Sequence, residues 1–204
     1  LGLPLDVEAA AAAVARCPAY RPTPLRAIVD GAQTLRVKDE TNRFGLGSFK
    51  ALGGVYATAR FVLEAAQSGF EHLFEPRVRA IANSLTFICA SAGNHGIAVA
   101  AGAKLFGASA RVHLPRSAPA HFATRLEEFG AQVCWSGDAY DDALAHARED
   151  ARIAGGVLLA DSAASVDDRG PALVMEGYTI IGRELQENFE RVGIWPTHVF
   201  LQAG

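Results

Sequence analysis

The sequence predicts an α/β protein in which parallel strands alternate with crossover helices. Short apolar runs bounded by Gly, Pro, Asp or Ser alternate with longer Ala-rich segments, and hydrophobic residues make up 50% of the 204 residues. This alternation favours parallel pairing, because consecutive parallel strands need a crossover connection, which is usually a helix. The chain also has enough apolar material to form a packed core.

The predicted elements follow one another along the chain. Strands are predicted at Thr34–Lys38, Leu85–Ala90, Ala110–Leu114, Gln132–Trp135, Val157–Ala160 and His198–Gln202. Helices are predicted at Ala9–Ala13, Phe49–Gln67, Gly96–Phe106, Ala118–Phe129, Tyr140–Ala154 and Pro171–Val192. The strands are short and contain β-branched or aromatic residues, and turn-forming residues bound them. The segment Tyr140–Asp142 is expected to cap the helix that it begins.

The elements group into one body that is interrupted by a smaller one. The segment from Leu85 to Ala160 contains four predicted strands and three predicted helices, which is enough for a compact α/β unit. We therefore expect a smaller inserted domain at residues 83–164, with residues 1–82 and 165–204 belonging to a larger domain. The sequence stops directly after its last predicted strand, where open sheets place their ligand loops, so we expect a chain truncated at its C-terminus.

The charge balance and the cysteines limit the classes of partner and compartment. Lys and Arg number 19 against 22 Asp and Glu, a formal net charge of −3, so we expect no nucleic-acid partner and no membrane surface. No apolar run reaches the ~18 residues of a spanning helix, and no secretory signal is visible. The three cysteines, Cys17, Cys89 and Cys134, are odd in number and sparse, which argues against a disulfide framework and favours a reducing, cytoplasmic location. Their spacing forms no CxxC pair.

A glycine-containing loop leads from the first predicted strand to Lys50, at the start of the following helix. The positive end of a helix dipole is unfavourable for an ammonium ion and favours the neutral amine, which is the nucleophile of a Schiff base. A solvent-exposed lysine in the first helical turn is the alternative interpretation. A phosphate loop of the Walker type is excluded, because the pattern GxxxxGK followed by Ser or Thr is absent.

Two further motifs follow predicted strands. In the segment Ser91–Gly96, small residues allow backbone N–H groups to converge at a helix start, which suits a carboxylate or a phosphate. Asn94 adds a side-chain donor and acceptor, and His95 is a candidate base; the alternative is an ordinary turn capped by Asn94 or Ser91. No second His or Cys stands at metal-binding spacing, so we expect no metal. Asp161 either caps the next segment or reaches into a cleft at the strand ends.

Four segments together resemble a known family. They are Lys38–Gly54, Gly93–Gly96, Met175–Thr179 and Pro196–Gly204. In this combination they are similar to the diaminopropionate ammonia-lyases, which belong to the pyridoxal-phosphate (PLP) enzymes of the tryptophan-synthase β type, or fold type II. The resemblance covers nearly the whole chain from Tyr20 onward. It implies parallel sheets with helices, a small domain inserted in a larger PLP domain, and pyridoxal 5′-phosphate as the cofactor.

The resemblance also implies roles for individual residues. Lys50 would carry PLP on its amine and move the α-proton of the substrate, and Phe49 would pack against the cofactor ring. Asn94 would hydrogen-bond the 3′-oxygen of the cofactor, and Gly204 would begin its phosphate loop. Asp161 would contact the substrate and assist Lys50 as a second catalytic group. The turn that binds the substrate would comprise Ser91, Ala92, Gly93, Asn94 and His95.

The function implied by the resemblance is a PLP-dependent ammonia-lyase. It would eliminate the β-substituent of a small amino acid similar to 2,3-diaminopropionate and release a keto acid and ammonia. The exposed apolar edge of an interrupted sheet favours self-association, so a homodimer is expected.

One position departs from the family. Ala92 stands where the family usually has an Asp that exchanges protons with the substrate, and a methyl group cannot do so. A lyase similar to serine and threonine dehydratases is therefore an alternative, and so is a truncated, non-catalytic PLP-fold protein. A different nucleotide-binding α/β protein is disfavoured, because no GxGxxG follows a predicted strand.

Overall fold

The computed structural model describes residues 5–31, 33–163, 165 and 168–201. Its helices are α1 (Val7–Ala15), α2 (Lys50–Ala66), α3 (Pro76–Ala82), α4 (Asn94–Phe106), α5 (Ala120–Glu128), α6 (Tyr140–Ala154) and α7 (Arg169–Val192). Its strands are β1 (Leu25–Asp30), β2 (Gln33–Lys38), β3 (Thr86–Ala90), β4 (Ser109–Leu114), β5 (Gln132–Trp135) and β6 (Val157–Leu158). Short 3-10 helices lie at Glu40–Gly45 and Phe70–His72.

The four-stranded sheet is parallel throughout, with the strand order β5-β4-β3-β6, which confirms the predicted α/β fold. In the middle of this sheet, Phe87 of β3 pairs with both Ala110 of β4 and Val157 of β6. Phe87, Ile88 and Cys89 are fully buried, as expected where helices cover a parallel sheet. Since all four strands run in the same direction, the residues that follow β3 and β6 meet at one edge of the sheet.

A two-stranded antiparallel hairpin precedes the glycine-containing loop. In this hairpin β1 pairs with β2, and Leu25 lies opposite Lys38. The sequence pattern predicts only β2, although the Asp-Gly pair that ends β1 is a turn signal and Gly31 has a positive φ of +58°. Ile28 and Val29 of β1 are exposed, so the burial of one face that creates a strand pattern is missing in β1.

The predicted strand His198–Gln202 is wrong for residues 198–201, and Gln202 lies outside the described residues. Residues 191–201 are all exposed, and Phe200 is 85% exposed. A strand needs a neighbouring strand for its backbone hydrogen bonds, and none of the strands in the described ranges pairs with this segment. Its apolar residues have β propensity, but propensity without a partner does not make a strand.

The remaining predicted elements are found with ends that differ by no more than two residues. The predicted strand Val157–Ala160 is the clearest shortening, because only Val157–Leu158 pairs with β3. Helix α3 was not predicted. It is a short helix with Pro76 in its first turn, where proline fits without loss of a hydrogen bond.

Glycines allow α2 to approach α4 and α7 closely. A Cβ on Gly53 would lie 2.7 Å from the Val174 carbonyl oxygen on α7, and a Cβ on Gly177 would lie 2.7 Å from the Leu52 carbonyl oxygen on α2. On its other side, Gly54 faces α4, where an added Cβ would lie 2.6 Å from an alanine Cβ. Two of the segments that carry the family resemblance therefore form the α2–α7 contact, which fixes the helix that begins at the candidate cofactor lysine.

Candidate functional site

A cavity of about 640 Å³ opens where β2, β3 and β6 end. Its wall is formed by Val37, Lys38, Asp39, Glu40, Thr41, Gly47, Ser48, Phe49, Lys50, Ser91, Ala92, Gly93, Asn94, His95, Tyr140 and Asp161. Every predicted site residue within the described part of the chain belongs to this set. Gly204, the predicted start of a phosphate loop, lies outside the described residues.

Lys50 begins helix α2, and its backbone N–H donates to the Ser48 hydroxyl at 3.2 Å. Its Nζ atom lies 5.3 Å from the centre of the Phe49 ring and 5.6 Å from the centre of the Tyr178 ring, within the range of a cation–π contact. No carboxylate among the described residues pairs with this amine, so it is available to the cavity.

Tyr178 on α7 supports this lysine from behind the cavity wall. Its ring packs edge-on against the Phe49 ring, with ring centres 5.1 Å apart. Its hydroxyl is buried and has no hydrogen-bond partner in the described ranges, which is uncommon because buried polar atoms are nearly always paired. Burial raises the pKa of this phenol, so the hydroxyl remains neutral.

The turn at residues 91–94 joins β3 to α4 and lines the cavity. The Ser91 hydroxyl accepts a hydrogen bond from the Gly93 N–H at 3.2 Å, which closes the turn. Gly93 is the N-cap of α4 and no side chain caps this helix, so its first backbone N–H groups have no partner within it. A Cβ on Gly96 would lie 3.2 Å from the Ser91 carbonyl oxygen, so glycine allows close packing here. The alternative cap by Ser91 or Asn94 is not formed.

His95 lies in the first turn of α4 and is almost fully buried. Its Nε2 atom lies 2.9 Å from the Leu159 carbonyl oxygen. Since a carbonyl oxygen only accepts hydrogen bonds, Nε2 carries the proton, and a neutral ring then leaves Nδ1 unprotonated. Burial lowers the pKa of His95 and keeps the ring neutral. The Nδ1 atom has no hydrogen-bond partner among the described residues.

Asp161 follows β6 and lines the same cavity as Lys50. The Tyr140 hydroxyl donates a hydrogen bond to its carboxylate at 2.8 Å. Burial, together with this hydrogen bond to a carboxylate, raises the pKa of Tyr140 and keeps the phenol protonated as the donor. The N-cap of α7 is Asp168, so the interpretation of Asp161 as a cap of that helix is not supported.

The prediction that Tyr140–Asp142 caps α6 holds only for Asp142. Its carboxylate accepts hydrogen bonds from the backbone N–H groups of Ala139 at 3.1 Å and Asp138 at 3.2 Å. Tyr140 instead turns its hydroxyl to Asp161. A tyrosine has no acceptor short enough to reach the first helical amides, so the cap comes from the aspartate that follows two residues later.

A buried cluster of charges lies behind the cavity wall that follows β2. The Glu184 carboxylate on α7 accepts hydrogen bonds from Lys38, from Arg43 and from the Tyr20 hydroxyl. Glu40 is a second acceptor for Arg43, at 2.8 Å. Burial alone raises the pKa of Glu184, but the hydrogen bonds from Arg43, Lys38 and Tyr20 outweigh it and lower the pKa to about 2.

Glu184 and Tyr178 are site residues whose roles are not predicted from the sequence. No local pattern identifies Glu184, because its partner Arg43 is 141 residues away. Tyr178 appears only within a motif of the family resemblance. Its proximity to Lys50 follows from the α2–α7 crossing, for which the glycines at 53 and 177 are the sequence signal.

In the described ranges, no group of His, Cys, Asp and Glu side chains is arranged to hold a metal ion. No helix in the same part of the chain is long and apolar enough to cross a membrane. Cys17, Cys89 and Cys134 are free thiols, and burial raises the pKa of Cys89 to about 12, so this thiol is unreactive.

Fold and cavity together define a class of protein: a parallel α/β structure in which a lysine at a helix start shares a cavity with an uncapped helix N-terminus. The family model described as "Pyridoxal-phosphate dependent enzyme" matches residues 17–204. The chain belongs to this family, and the resemblance inferred from its motifs is confirmed.

Within this family, the chain is similar to ammonia-lyases and dehydratases of amino acids. The chain is similar to diaminopropionate ammonia-lyase of Escherichia coli (strain K12), with 36% identity over 191 residues. This match covers 91% of the chain and 48% of the relative. A serine dehydratase-like protein of Mus musculus is 31% identical over 158 residues, covering 78% of the chain and 40% of that protein. The chain spans about half the length of the curated diaminopropionate ammonia-lyases that it matches.

Solved structures support the fold. The crystal structure of Escherichia coli diaminopropionate ammonia lyase in apo form matches with a TM-score of 0.90 and 32% identity, covering 97% of this chain and 56% of that chain. The same enzyme in complex with an aminoacrylate-PLP azomethine reaction intermediate matches with a TM-score of 0.87 and 32% identity, covering 97% of this chain and 51% of that chain. These similarities confirm the predicted fold class.

Proposed function

We propose that the protein to which this chain belongs is a PLP-dependent ammonia-lyase. It eliminates the β-substituent of a small amino acid similar to 2,3-diaminopropionate and yields a keto acid and ammonia. The observation that carries the proposal is the shared cavity, in which the unpaired amine of Lys50 lies with the 91–94 turn and Asp161. The similarity to diaminopropionate ammonia-lyases favours this reaction among those of the family.

The cavity wall has the chemistry that PLP requires. The Lys50 amine is free of ion pairs with described residues and can form a covalent bond to an aldehyde, and Phe49 offers an aromatic face beside it. Asn94 has an exposed side-chain amide that can hydrogen-bond the 3′-oxygen of the cofactor ring. When bound, PLP supplies an electron sink for the carbanion that forms at the substrate α-carbon. A phosphate loop beginning at Gly204 stays a prediction.

The turn at residues 91–94 is proposed to bind the substrate carboxylate. The uncapped N-terminus of α4 presents backbone N–H groups and the positive end of a helix dipole to the cavity. Ser91, Ala92 and Gly93 shape this turn, and the contact of Gly96 with Ser91 holds it against the helix. A negatively charged group is favoured at this position over a neutral one.

Two groups in the cavity wall can move protons during the reaction. Lys50 is the proposed base for the α-proton, because its amine belongs to the cavity wall and forms no ion pair with a described residue. Asp161 is the proposed second acid or base, oriented by the hydrogen bond from Tyr140. Ala92 lines the same cavity, but its methyl group can neither donate nor accept a proton. Proton transfer is therefore assigned to Lys50 and Asp161.

Ala92 also favours a second candidate substrate class, the hydroxy amino acids serine and threonine, whose leaving group is water. A substrate panel of 2,3-diaminopropionate, serine and threonine separates the two classes by the ratio of their kcat/KM values. The matched variant Ala92→Asp adds the missing carboxylate. If Ala92 selects the substrate, this variant changes the ratio, whereas an unchanged ratio assigns the selection to other residues.

The cofactor assignment can be tested on the purified protein with added PLP. The sequence contains three lysines, Lys38, Lys50 and Lys104, so borohydride reduction followed by peptide mapping has a simple outcome. We expect a visible absorption band and a reduced adduct at Lys50. Lys50→Ala removes both, together with turnover.

Lys104 is the matched control, since its amine donates to the Glu128 carbonyl on the protein surface. Lys104→Ala is expected to keep the band, the adduct and the turnover of the parent protein. An adduct at another lysine, or wild-type turnover in Lys50→Ala, contradicts the proposal. No band in any of these proteins favours the alternative of a non-catalytic PLP-fold protein.

Four further properties belong to the same proposal. A homodimer is supported by apolar side chains exposed on the hairpin, among them Ile28, Val29 and Leu35. A cytoplasmic location is supported by the free thiols. A smaller inserted domain at 83–164, between the parts 1–82 and 165–204 of a larger PLP domain, is supported by the separate four-stranded sheet. A net charge of −3 argues against a nucleic-acid partner.

A further inference from the structure

The segment that carries Asp161 is weakly tied to the sheet. Strand β6 has two residues, Val157–Leu158, and β3 is its one partner among the described strands. Beyond β6 the Leu159 N–H donates to the Ile88 carbonyl of β3 at 2.8 Å, and the chain then leaves the sheet. Asp161 follows two residues later and is exposed. The backbone at Leu159 is therefore the last point at which the sheet can fix the direction of this segment.

His95 binds the carbonyl group of Leu159, the residue whose N–H group is bound by β3. Its Nε2–H donates to the Leu159 carbonyl oxygen at 2.9 Å, so both backbone polar groups of Leu159 are engaged. The two hydrogen bonds come from different elements, one from β3 and one from the first turn of α4. Leu159 itself is fully buried, so no solvent competes for these bonds.

The choice of histidine at this place carries a cost. The Nδ1 atom is buried without a partner in the described part of the chain, and an unpaired buried polar atom is unfavourable. An apolar side chain of similar size would avoid that cost but could not bind the Leu159 carbonyl. The one hydrogen bond that the buried ring makes in the described part of the chain is therefore the one from Nε2–H to the Asp161 segment.

We infer that His95 is a positioning residue for Asp161, acting through the Leu159 carbonyl, rather than a group that touches the substrate. It joins the carboxylate-binding turn to the segment of the second proton-transfer group, so that one buried hydrogen bond links the two sides of the cavity. The Tyr140 hydroxyl holds Asp161 from the solvent side, and His95 holds its backbone from the core side. This inference rests on the proposed function.

Two isosteric variants separate the two ring nitrogens. The amide nitrogen of Gln reaches the place of Nε2, whereas that of Asn lies near the place of Nδ1 and falls short of Leu159. In the holoenzyme, His95→Gln is expected to keep kcat within about 3-fold, because it keeps the donor. His95→Asn is expected to lower kcat by roughly 10- to 100-fold, because a small displacement of a reacting group is costly.

A double-mutant cycle shows whether the effect passes through Asp161. In an Asp161→Asn background, His95→Asn is expected to cause little further loss of kcat, since the positioned group is already disabled. Amide hydrogen exchange of residues 159–163, measured by mass spectrometry, is expected to be faster in His95→Asn than in His95→Gln. If His95→Asn does not fold, His95→Leu takes its place in the same cycle.

Three outcomes overturn the inference: equal losses in His95→Gln and His95→Asn, losses that add fully to that of Asp161→Asn, or unchanged hydrogen exchange at residues 159–163. The borohydride-reduced adduct at Lys50 is expected in all of these variants. Its absence from the wild-type protein would refute the proposed function instead, so the two failures are distinguishable.

Discussion

Glu184 binds Arg43 through both carboxylate oxygens, with the Nη1–Oε1 atoms 2.7 Å apart and the Nη2–Oε2 atoms 2.9 Å apart. Both side chains are almost fully buried, and 141 residues separate them in sequence. Since Arg43 lies in the loop between β2 and Lys50, this ion pair ties the wall of the candidate cofactor cavity to α7. Bidentate pairing of this kind fixes orientation as well as distance.

We expect Glu184→Gln to destabilise the protein by about 3–5 kcal/mol, because Lys38 would lose its carboxylate partner and buried Arg43 would keep only Glu40. Urea-induced unfolding at neutral pH measures the free energy of unfolding. Glu187→Gln is the matched control on the same helix, since its partner Arg183 is 43% exposed, and we expect a change below about 0.5 kcal/mol. Similar losses in the two variants would contradict the assigned role of Glu184.

Acid should reduce the stability that the ion pair between Glu184 and Arg43 contributes. The pKa of Glu184 is lowered from 4.5 to about 2 by its hydrogen bonds, in spite of burial. A carboxyl group whose folded pKa is depressed contributes stability above its unfolded pKa and loses it as the pH falls toward the folded value. The stability gap between wild type and Glu184→Gln should therefore shrink as the pH falls from 4.5 toward 2. A gap that stays constant over this range would count against the assignment.

Gly177→Ala should disturb the contact of α7 with α2. An added Cβ would lie 2.7 Å from the Leu52 carbonyl oxygen, which is backbone and cannot move aside cheaply, so we expect a loss of about 1–3 kcal/mol. Gly182→Ala is the control on the same helix, where nothing lies within 4 Å of an added Cβ. That change should stabilise the protein by about 0.5–1 kcal/mol, because alanine favours a helix. Thermal unfolding of both variants tests the pair, and equal effects would be inconsistent with the close contact.

Tyr140→Phe removes the hydrogen bond to Asp161 and keeps the ring. If Asp161 moves protons in the reaction, we expect kcat to fall by ~10-fold, the equivalent of about 1.4 kcal/mol, while the free energy of unfolding changes little. Steady-state kinetics and urea unfolding of the same preparation measure both quantities. Unchanged kcat with intact cofactor binding would show that the carboxylate needs no orientation by this phenol.

Tyr178→Phe removes a buried hydroxyl that has no partner among the described residues. We expect equal or higher stability, by up to about 1 kcal/mol, because the cost of an unpaired polar atom disappears. The aromatic face next to Lys50 remains, so the adduct at Lys50 should form as in the wild type. A clear loss of stability, measured by thermal unfolding, would mean that the hydroxyl has a partner in the protein.

Short-range patterns identified most of the fold. The parallel strands and their helices follow from local alternation of apolar runs, and their ends agree within two residues. Strand β1 was not predicted, because Ile28 and Val29 are both exposed and give no one-sided apolar pattern. Helix α3 was not predicted, because it has only seven residues. The predicted strand at residues 198–201 failed for a related reason, since β propensity does not supply a partner strand.

The sequence by itself determined the residue types of the site and their place at strand ends. Lys50 was predicted from its place at the start of a helix. The 91–94 turn and Asp161 were predicted because they follow strands of the parallel sheet, whose carboxyl ends converge. Only the tertiary structure decided which atoms meet: Nε2 of His95 with Leu159, the Tyr140 hydroxyl with Asp161, and Arg43 with Glu184. The physical reason is that burial periodicity reports that a face is covered, whereas a hydrogen bond between residues 21 to 141 positions apart depends on how the elements pack.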